Sequence, residues 1–473
     1  MAAPVDEETA RAVAVARMDR VCPAVGCSIS DCTRVDAVTG GELLAYAFSF
    51  SPAGYVIVPA DDALPPVVAY SIDGSLTGPE GSFGILELVR LDLEQRLAFS
   101  GSIPRPAAET NCRLWDAYLT GDFAAVPLMP LDQWPPAGTT PTGGWLEENW
   151  TQGAPYNSYC PMDNIAGSRS AAGCPAVAMG MIVDNLETAM SVYFTDADDY
   201  YHNYHEYYYI DDDYIAHDFP SWPELNGLID TLEDHYESST PLTDSDKAAL
   251  VVACGFACKQ VFTASVSGTF GIGQAYDAYV RFGFSGCELL YESSDSLFEK
   301  LSWNMICANC AHMGIIDEGP NYGHNVVLDG YNTDDFYHLN FGWGGSYNGW
   351  YQFPLSGMPY GMNIIEGVVL NIGVGMTGIE EAPGVQGGLL QLSALANPSS
   401  GSFPIILEMA GAGHVRVEVF GIDGRLVDVL LDSERGPGST SLTWDPAASP
   451  SGVYLVRASL DGAQSTARLT LLR

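Results

Sequence analysis

The stretch Ala176–Val183, in "GCPAVAMGMIVDN", is apolar almost without interruption, and nothing else in the 473 residues limits the fold so sharply. A helix built from it has no polar face, so it has to be enclosed by other elements. Gly173-Cys174-Pro175 leads into it, and proline suits the first helical turn because its missing N–H costs nothing there. Cys174 thus stands at a helix start, where unpaired amides and the helix dipole favour a thiolate. Taken alone, the same cysteine also reads as a small apolar cap on a buried helix. Cys160, fourteen residues earlier, is a second thiol in the same stretch, so the rest of the chain has to separate a nucleophile from a structural residue.

A nucleophilic thiolate needs an imidazole that pairs with it and later protonates the leaving amine. The segment "NYGHNVVLDGYNTDDFYHLNFGWGG" offers two. His324 follows a glycine that allows close approach and precedes the strand "NVVLDGY". His338 lies inside the next alternating strand and reads as a core or cross-strand residue. Antiparallel pairing across the Asn332–Asp334 turn is expected to bring Asn340 beside His324 and orient it. Gln152, in "NWTQGAPYN", can add an amide N–H₂ to the Cys174 backbone N–H as a second oxyanion donor.

Around this centre the chain divides into three. Residues 1–125 form a small α+β unit: a helix over Glu7–Met18, strands in "ELLAYAFSF" and "GYVIVPAD", and a helix in "SFGILELVRLDLEQRLAFSG". Pro127–Gly144, rich in Pro, Gly and Thr, reads as an exposed connector. Residues 126–375 carry most of the histidine and cysteine. Within them Tyr193–Pro220 is an acidic, tyrosine-rich surface loop in which His202 and His205 are expected to be exposed. Asp211, Asp212 and Asp213 are its calcium candidates, although the glycine and twelfth-position acid of an EF-hand are missing. Residues 376–473 alternate with a period of two, as at Val415, Val417 and Val419 with a turn at Asp423-Gly424, which predicts a β-sandwich.

Composition excludes some functions. A net charge of -40, from 59 acidic and 19 basic residues, leaves little to neutralise phosphates, so no nucleic-acid partner is expected. No run of about 20 apolar residues is present to span a bilayer as a helix. The opening "MAAPVDEETARAVAVARMDR" lacks the basic stretch and apolar core of a secretory signal and reads as the start of a folded part, either after removal of a signal or with an added Met. The eleven cysteines, among them Cys22, Cys27, Cys32 and Cys307-x-x-Cys310, leave zinc, disulfides and small buried side chains open, with one or two disulfides the expectation.

The Gln before "PYN", the "GCPAVA" helix start, "GHNVVLDGY" and "YHLNFGWGG" occur in an order that resembles the streptopain family of papain-like cysteine peptidases. The resemblance implies a papain-like catalytic domain over 126–375 with Cys174 as nucleophile, His324 as base and Gln152 as oxyanion donor. Phe341 stands where Trp is frequent, which leaves Asn340 to orient His324 and Trp343 to shield the pair. Asn325 stands where Ala is usual. "ACGFACKQVFTASVSGTFG" is similar to a cleft wall, implying substrate contacts at Ser265, Val266, Ser267, Gly268 and Thr269. Residues 1–125 resemble an inhibitory prosegment, and 376–473 an immunoglobulin-like module of secretion or surface attachment. The resemblance thus implies a secreted or surface-held bacterial endopeptidase zymogen, needing an activating protease, a protein or peptide substrate and no cofactor for catalysis, with structural calcium as an option. The same groups would serve an amidase or transpeptidase, and a non-catalytic adhesin or scaffold is the alternative class. His324→Ala is expected to cost far more peptidase turnover than His338→Ala at equal folded fraction, read by peptide hydrolysis normalised to circular dichroism. Equal losses would move the base away from His324.

Overall fold

The computed structural model describes residues 3–22, 26–78, 84–98, 103, 105–123, 133–190, 192–294, 296–316, 323–353, 365–373, 390–394, 401–409, 411–421, 426–436, 438–446, 449, 452–460 and 463–471. The chain divides into two packing units, 1–375 and 376–473.

In the first unit Asp6 accepts the Thr9 N–H at 2.8 Å and so starts α1 (Glu7–Val21), satisfying one of the amides that a helix start leaves unpaired. Ala10, Val13, Ala14, Arg17 and Met18, spaced by three and four, bury one face of it. There follow β1 (Ser28–Asp36), β2 (Leu43–Ser51), β3 (Tyr55–Pro59), β4 (Ala69–Ser71), α2 (Ile85–Ala98) and α3 (Arg105–Thr120). The next stretch holds β5 (Gln133–Trp134), β6 (Met162–Asp163), β7 (Ser168–Arg169), α4 (Cys174–Asn185), β8 (Tyr201–Tyr204), β9 (Glu206–Tyr209) and α5 (Tyr214–His217). It continues with α6 (Trp222–Glu237), α7 (Asp244–Ala257), α8 (Ile272–Arg281), β10 (Glu288–Tyr291), α9 (Leu297–Ile306), β11 (Ala311–Ile316), β12 (Gly323–Asn332), β13 (Phe336–Asn340), β14 (Gly349–Gln352) and β15 (Ile365–Leu370). Capping boxes at Ser221 with Glu224 and at Thr243 with Asp246 start α6 and α7.

The apolar helix is α4, and every residue from Pro175 to Val183 is buried. It lies between α7 and the β11–β12 part of the sheet. Gly180 permits the close approach: a Cβ there would come within 3.0 Å of the Trp150 ring and 3.3 Å of Val251.

Among the described residues the main sheet has eleven strands in the order β1-β2-β3-β4-β14-β13-β12-β11-β15-β10, with β5 also on β12. Pairing of Tyr70 with Trp350 and of Ala69 with Tyr351 joins β4 to β14. The expected division near residue 125 is therefore one of sequence and not of packing, because the edge that a separate catalytic sheet would expose is filled by β4. The connector is corrected as well. Residues 127–132 lie outside the described residues, while Gln133 and Trp134 pair with Asn332 and Tyr331. Trp145 N–H then donates to the Asp329 carbonyl at 2.6 Å, so this half is stitched to β12.

In the second unit β16 (Leu390–Ala394), β17 (Phe403–Met409) and β20 (Gly438–Trp444) form one antiparallel sheet. The strands β18 (Gly413–Gly421), β19 (Leu426–Arg435), β21 (Gly452–Leu460) and β22 (Ala463–Leu471) form another. The period-two residues Val415, Val417 and Val419 enter a shared core with Phe403, Ile405, Trp444 and Val456. This is a two-sheet sandwich, as the alternation predicts. The Asp423-Gly424 turn lies outside the described residues.

Arg17 of α1 crosses the 125 boundary. Its side chain is fully buried, its Nη1 donates to Asp334 Oδ2 at 2.7 Å and to the Tyr118 hydroxyl at 3.1 Å, and its guanidinium lies 4.1 Å from the Tyr70 ring centroid. Removing one partner strands a buried charge, so Asp334→Asn is expected to lower unfolding free energy by roughly 3–5 kcal/mol. Replacing both, as Arg17→Met with Asp334→Leu, is expected to recover most of it in denaturant titrations. A single variant as stable as the parent would refute the dependence.

Candidate active site

The turn before α4 is fixed from beneath. Gly173 has φ 87°, a conformation glycine adopts at little cost, and a Cβ there would meet Gln260 Oε1 at 2.7 Å. Gln260 is fully buried and donates from Nε2 to the Ala172 carbonyl at 2.7 Å. On either side, Ala172 N–H donates to the Gln152 carbonyl and Ala171 N–H to the Thr263 carbonyl, each at 2.9 Å. The backbone preceding Cys174 therefore carries the Gln152 loop on one hand and the 263–269 loop on the other. In the latter, Thr263 N–H donates to the Ser267 hydroxyl and Val266 N–H to Thr263 Oγ1, which leaves Ser267 buried and Val266 68% exposed beside Phe270 at 72%. The loop thus presents apolar side chains outward.

Cys174 is half-buried, and Asn325 Nδ2 donates to its Sγ at 3.8 Å. Asn325 Oδ1 in turn accepts from His312 Nε2 at 2.8 Å, and His312 Nδ1 accepts from the Tyr279 hydroxyl at 3.1 Å. Burial pushes the Cys174 thiol up, while hydrogen bonds from the backbone and side chain of Asn325 and from its own amide oppose that rise. Cys160 is fully buried and pushed up to about 12 by desolvation, which leaves it a thiol at neutral pH.

His324 precedes Asn325 in β12, and successive side chains of a strand leave opposite faces. Its ring lies parallel to Trp343, centroids 5.6 Å apart at 10°, and to Phe341, 5.9 Å at 14°. His324 Nε2 donates to the Phe341 carbonyl at 2.9 Å. Asn340 is therefore not the orienting partner. The register sets it opposite Val327, and its Nδ2 donates to Asn149 Oδ1 at 3.0 Å while its Oδ1 accepts from Gly342 N–H. Asn348 also donates to Asn149 and accepts the Phe341 N–H at 3.0 Å. Three asparagines thus brace the turn whose carbonyl holds the imidazole, and a backbone carbonyl is available whether Phe or Trp stands at 341.

Residues 150–351 match the Peptidase C10 family. This segment is similar to the C10 cysteine peptidases. The thiol protease/hemagglutinin PrtT of Porphyromonas gingivalis is 24% identical over 326 residues, 63% of this chain and 32% of that protein. Streptopain of Streptococcus pyogenes is 24% identical over 350 residues, 66% of this chain and 75% of its own length. The chain therefore spans about a third of the first relative and three quarters of the second. A solved fragment of Prevotella intermedia prointerpain A matches with a TM-score of 0.46 at 16% identity, covering 72% of this chain and 97% of that one.

Several expectations fall elsewhere in the matched segment. His338 Nδ1 lies 2.6 Å from Asp329 Oδ1 in a buried pair, which commits it to the inner face of its hairpin. His202 is fully buried, contrary to expectation, because its Nε2 accepts the Phe262 N–H at 2.7 Å and its ring stacks on Tyr208; His205 is exposed. Asp213 accepts the Tyr209 N–H and Asp199 the Asp211 N–H, so these carboxylates shape a turn. Among the described residues no group of three or more His, Cys, Asp or Glu side chains is arranged to hold a metal ion. Cys22, Cys27, Cys32 and Cys160 are free thiols, in place of the expected disulfides, and six cysteines, among them Cys254, Cys258, Cys307 and Cys310, are buried as small apolar side chains.

Sequence reading noted Asn325 only as a departure and missed His312, Tyr279 and Gln260. Burial lowers both His312 and His324 from 6.5 to about 4. A ring that the fold keeps neutral binds its proton more readily when unfolded, so the stability it contributes is complete above about 6.5 and is lost as pH falls toward about 4. Melting temperature is expected to fall over that window, and His312→Gln to flatten the dependence. An unchanged slope in the variant would contradict it.

Proposed function

We propose that the chain is a cysteine endopeptidase made as a latent precursor, with Cys174 as nucleophile and His324 as its base. The observation that carries this reading is the half-buried Cys174 at the start of the enclosed helix α4, its Sγ touched by Asn325, whose neighbour in β12 is His324 held by a carbonyl. The Cys174 thiolate attacks the peptide carbonyl carbon, and the oxyanion is taken up by the Cys174 N–H with the Gln152 amide as second donor. His324, carrying the thiol proton, delivers it to the leaving nitrogen as the C–N bond breaks. Water, deprotonated by His324, then attacks the thioester, releasing the acid and restoring the thiol. No step calls for a cofactor.

The loop containing Ser265, Val266, Ser267, Gly268 and Thr269 forms a cleft wall, supported by its backbone bond to Ala171 and by the exposure of Val266. Trp343 keeps water from His324, as their parallel stacking favours. Residues 1–125 act as the inhibitory segment, released by an activating protease. Residues 376–473 serve as an immunoglobulin-like attachment or secretion module, and the protein acts outside a bacterial cell on protein or peptide substrates. Calcium at Asp211, Asp212 and Asp213 would be structural.

Peptide hydrolysis and melting curves of the parent, Cys174→Ala and Cys160→Ala, before and after proteolysis between 123 and 133, test this function. Turnover is expected to rise on cleavage in the parent and in Cys160→Ala and to be absent in Cys174→Ala at an unchanged melting temperature. Turnover in Cys174→Ala would overturn the assignment, and full activity before cleavage would overturn latency.

A further inference from the structure

We infer that Asn325, oriented by His312 and Tyr279, is a hydrogen-bond donor that stabilises the Cys174 thiolate, an inference that rests on Cys174 being the nucleophile. Four side chains form an unbroken chain: the Tyr279 hydroxyl to His312 Nδ1 at 3.1 Å, His312 Nε2 to Asn325 Oδ1 at 2.8 Å, and Asn325 Nδ2 to Cys174 Sγ at 3.8 Å. Tyr279 and His312 are fully buried, so neither has water as an alternative partner.

The direction of each bond follows from the donor and acceptor inventory. Asn325 Oδ1 can only accept, which places the imidazole proton on Nε2 and leaves Nδ1 to accept from the Tyr279 hydroxyl. That Nε2–H needs an acceptor and takes the amide oxygen of Asn325. An amide with its oxygen so engaged can turn only its NH₂ toward the sulfur. Burial keeps His312 neutral at physiological pH, so the relay holds one polarity and adds no charge of its own.

An N–H donor gains little from a neutral thiol and much more from a thiolate, because a bond to an ionised acceptor is about twice as strong as a neutral one. The contact therefore favours the attacking species selectively. It also compensates for the burial of the sulfur, which opposes ionisation. His324 and Asn325 are consecutive in β12, so one strand carries both the proton acceptor and the thiolate donor. An alanine at 325, usual in sequences of the streptopain kind, has no such donor. Asn325 touches the reacting sulfur and is in that sense catalytic, whereas His312 and Tyr279 are positioning residues.

The test is the pH profile of iodoacetamide labelling of the full-length protein, read by quantitative mass spectrometry of the peptide that contains Cys174, since ten other thiols are present. Near neutral pH, Asn325→Ala is expected to label about tenfold more slowly than the parent, with its profile displaced to higher pH. Asn325→Asp, of equal size but charged, should be slower still. His312→Leu should follow the same direction, and His312→Gln, which keeps an N–H donor, should restore part of the rate. Should Asn325→Ala melt early, the size-matched Asn325→Asp decides. A parental pH profile in both Asn325 variants would overturn the role of Asn325 while leaving Cys174 as nucleophile. A Cys174 peptide that labels no faster than the buried Cys160 peptide in the parent, both before and after proteolysis between 123 and 133, would instead remove the nucleophile, and the inference with it.

Discussion

Enclosure of α4 is the constraint on which the rest of the first unit depends. Its buried run includes five large side chains, Val177, Met179, Met181, Ile182 and Val183. At roughly 1.5–3 kcal/mol each, their burial is worth on the order of 10 kcal/mol as an upper figure. That far exceeds the cost of about 1 kcal/mol for ordering a glycine at the Gly173 turn. The helix can thus impose its position on its neighbours: α7 on one side, β11 and β12 on the other, and Trp150 against Gly180. Once it is placed, its first residue is delivered to the start of β12, where Asn325 meets the thiol.

The opposite requirement governs the polar groups. A buried amide or imidazole without partners costs about 1–3 kcal/mol, so those close to the cysteine take neighbours, with Gln260 Oε1 left over. Gln260 holds the Ala172 carbonyl, Asn149 collects Asn340 and Asn348, and His312 joins Tyr279 to Asn325. These bonds fix the directions of side chains that packing alone would leave free. Orientation of His324 by the Phe341 carbonyl belongs to the same economy, since Asn340 is already engaged with Asn149 and with the Gly342 amide.

The N-terminal segment is joined to the catalytic part by the same kinds of contact. Beyond the β4–β14 pairing, Asp92 and Arg96 of α2 form a buried ion pair at 2.7 Å, Arg96 donates to the Gln352 carbonyl at 2.6 Å, and Tyr351 donates to Asp92. Such groups are costly to separate once buried. Removal of this segment is therefore a change in the sheet itself, exposing the β14 edge and the face that α2 covers.

The sequence by itself determined the elements whose periodicity is local. The helix at Cys174, the strands around His324 and His338, and the alternating valines of the C-terminal sandwich are all legible from spacing alone. So were the order of the motifs and the distinction between His324 beside a glycine and His338 inside a strand. Tertiary structure alone decided the partners. That Asn340 turns to Asn149, that Asn325 reaches the thiol and that His312 lies behind it depend on the register of β11, β12 and β13 and on which face α4 covers. The fusion of residues 1–125 to the catalytic sheet is likewise invisible in composition, because a buried strand edge and an exposed one are built from the same residues. Backbone periodicity is written every two or four residues, whereas a hydrogen bond between residues 149 and 340 is set only when the whole sheet has closed around the helix.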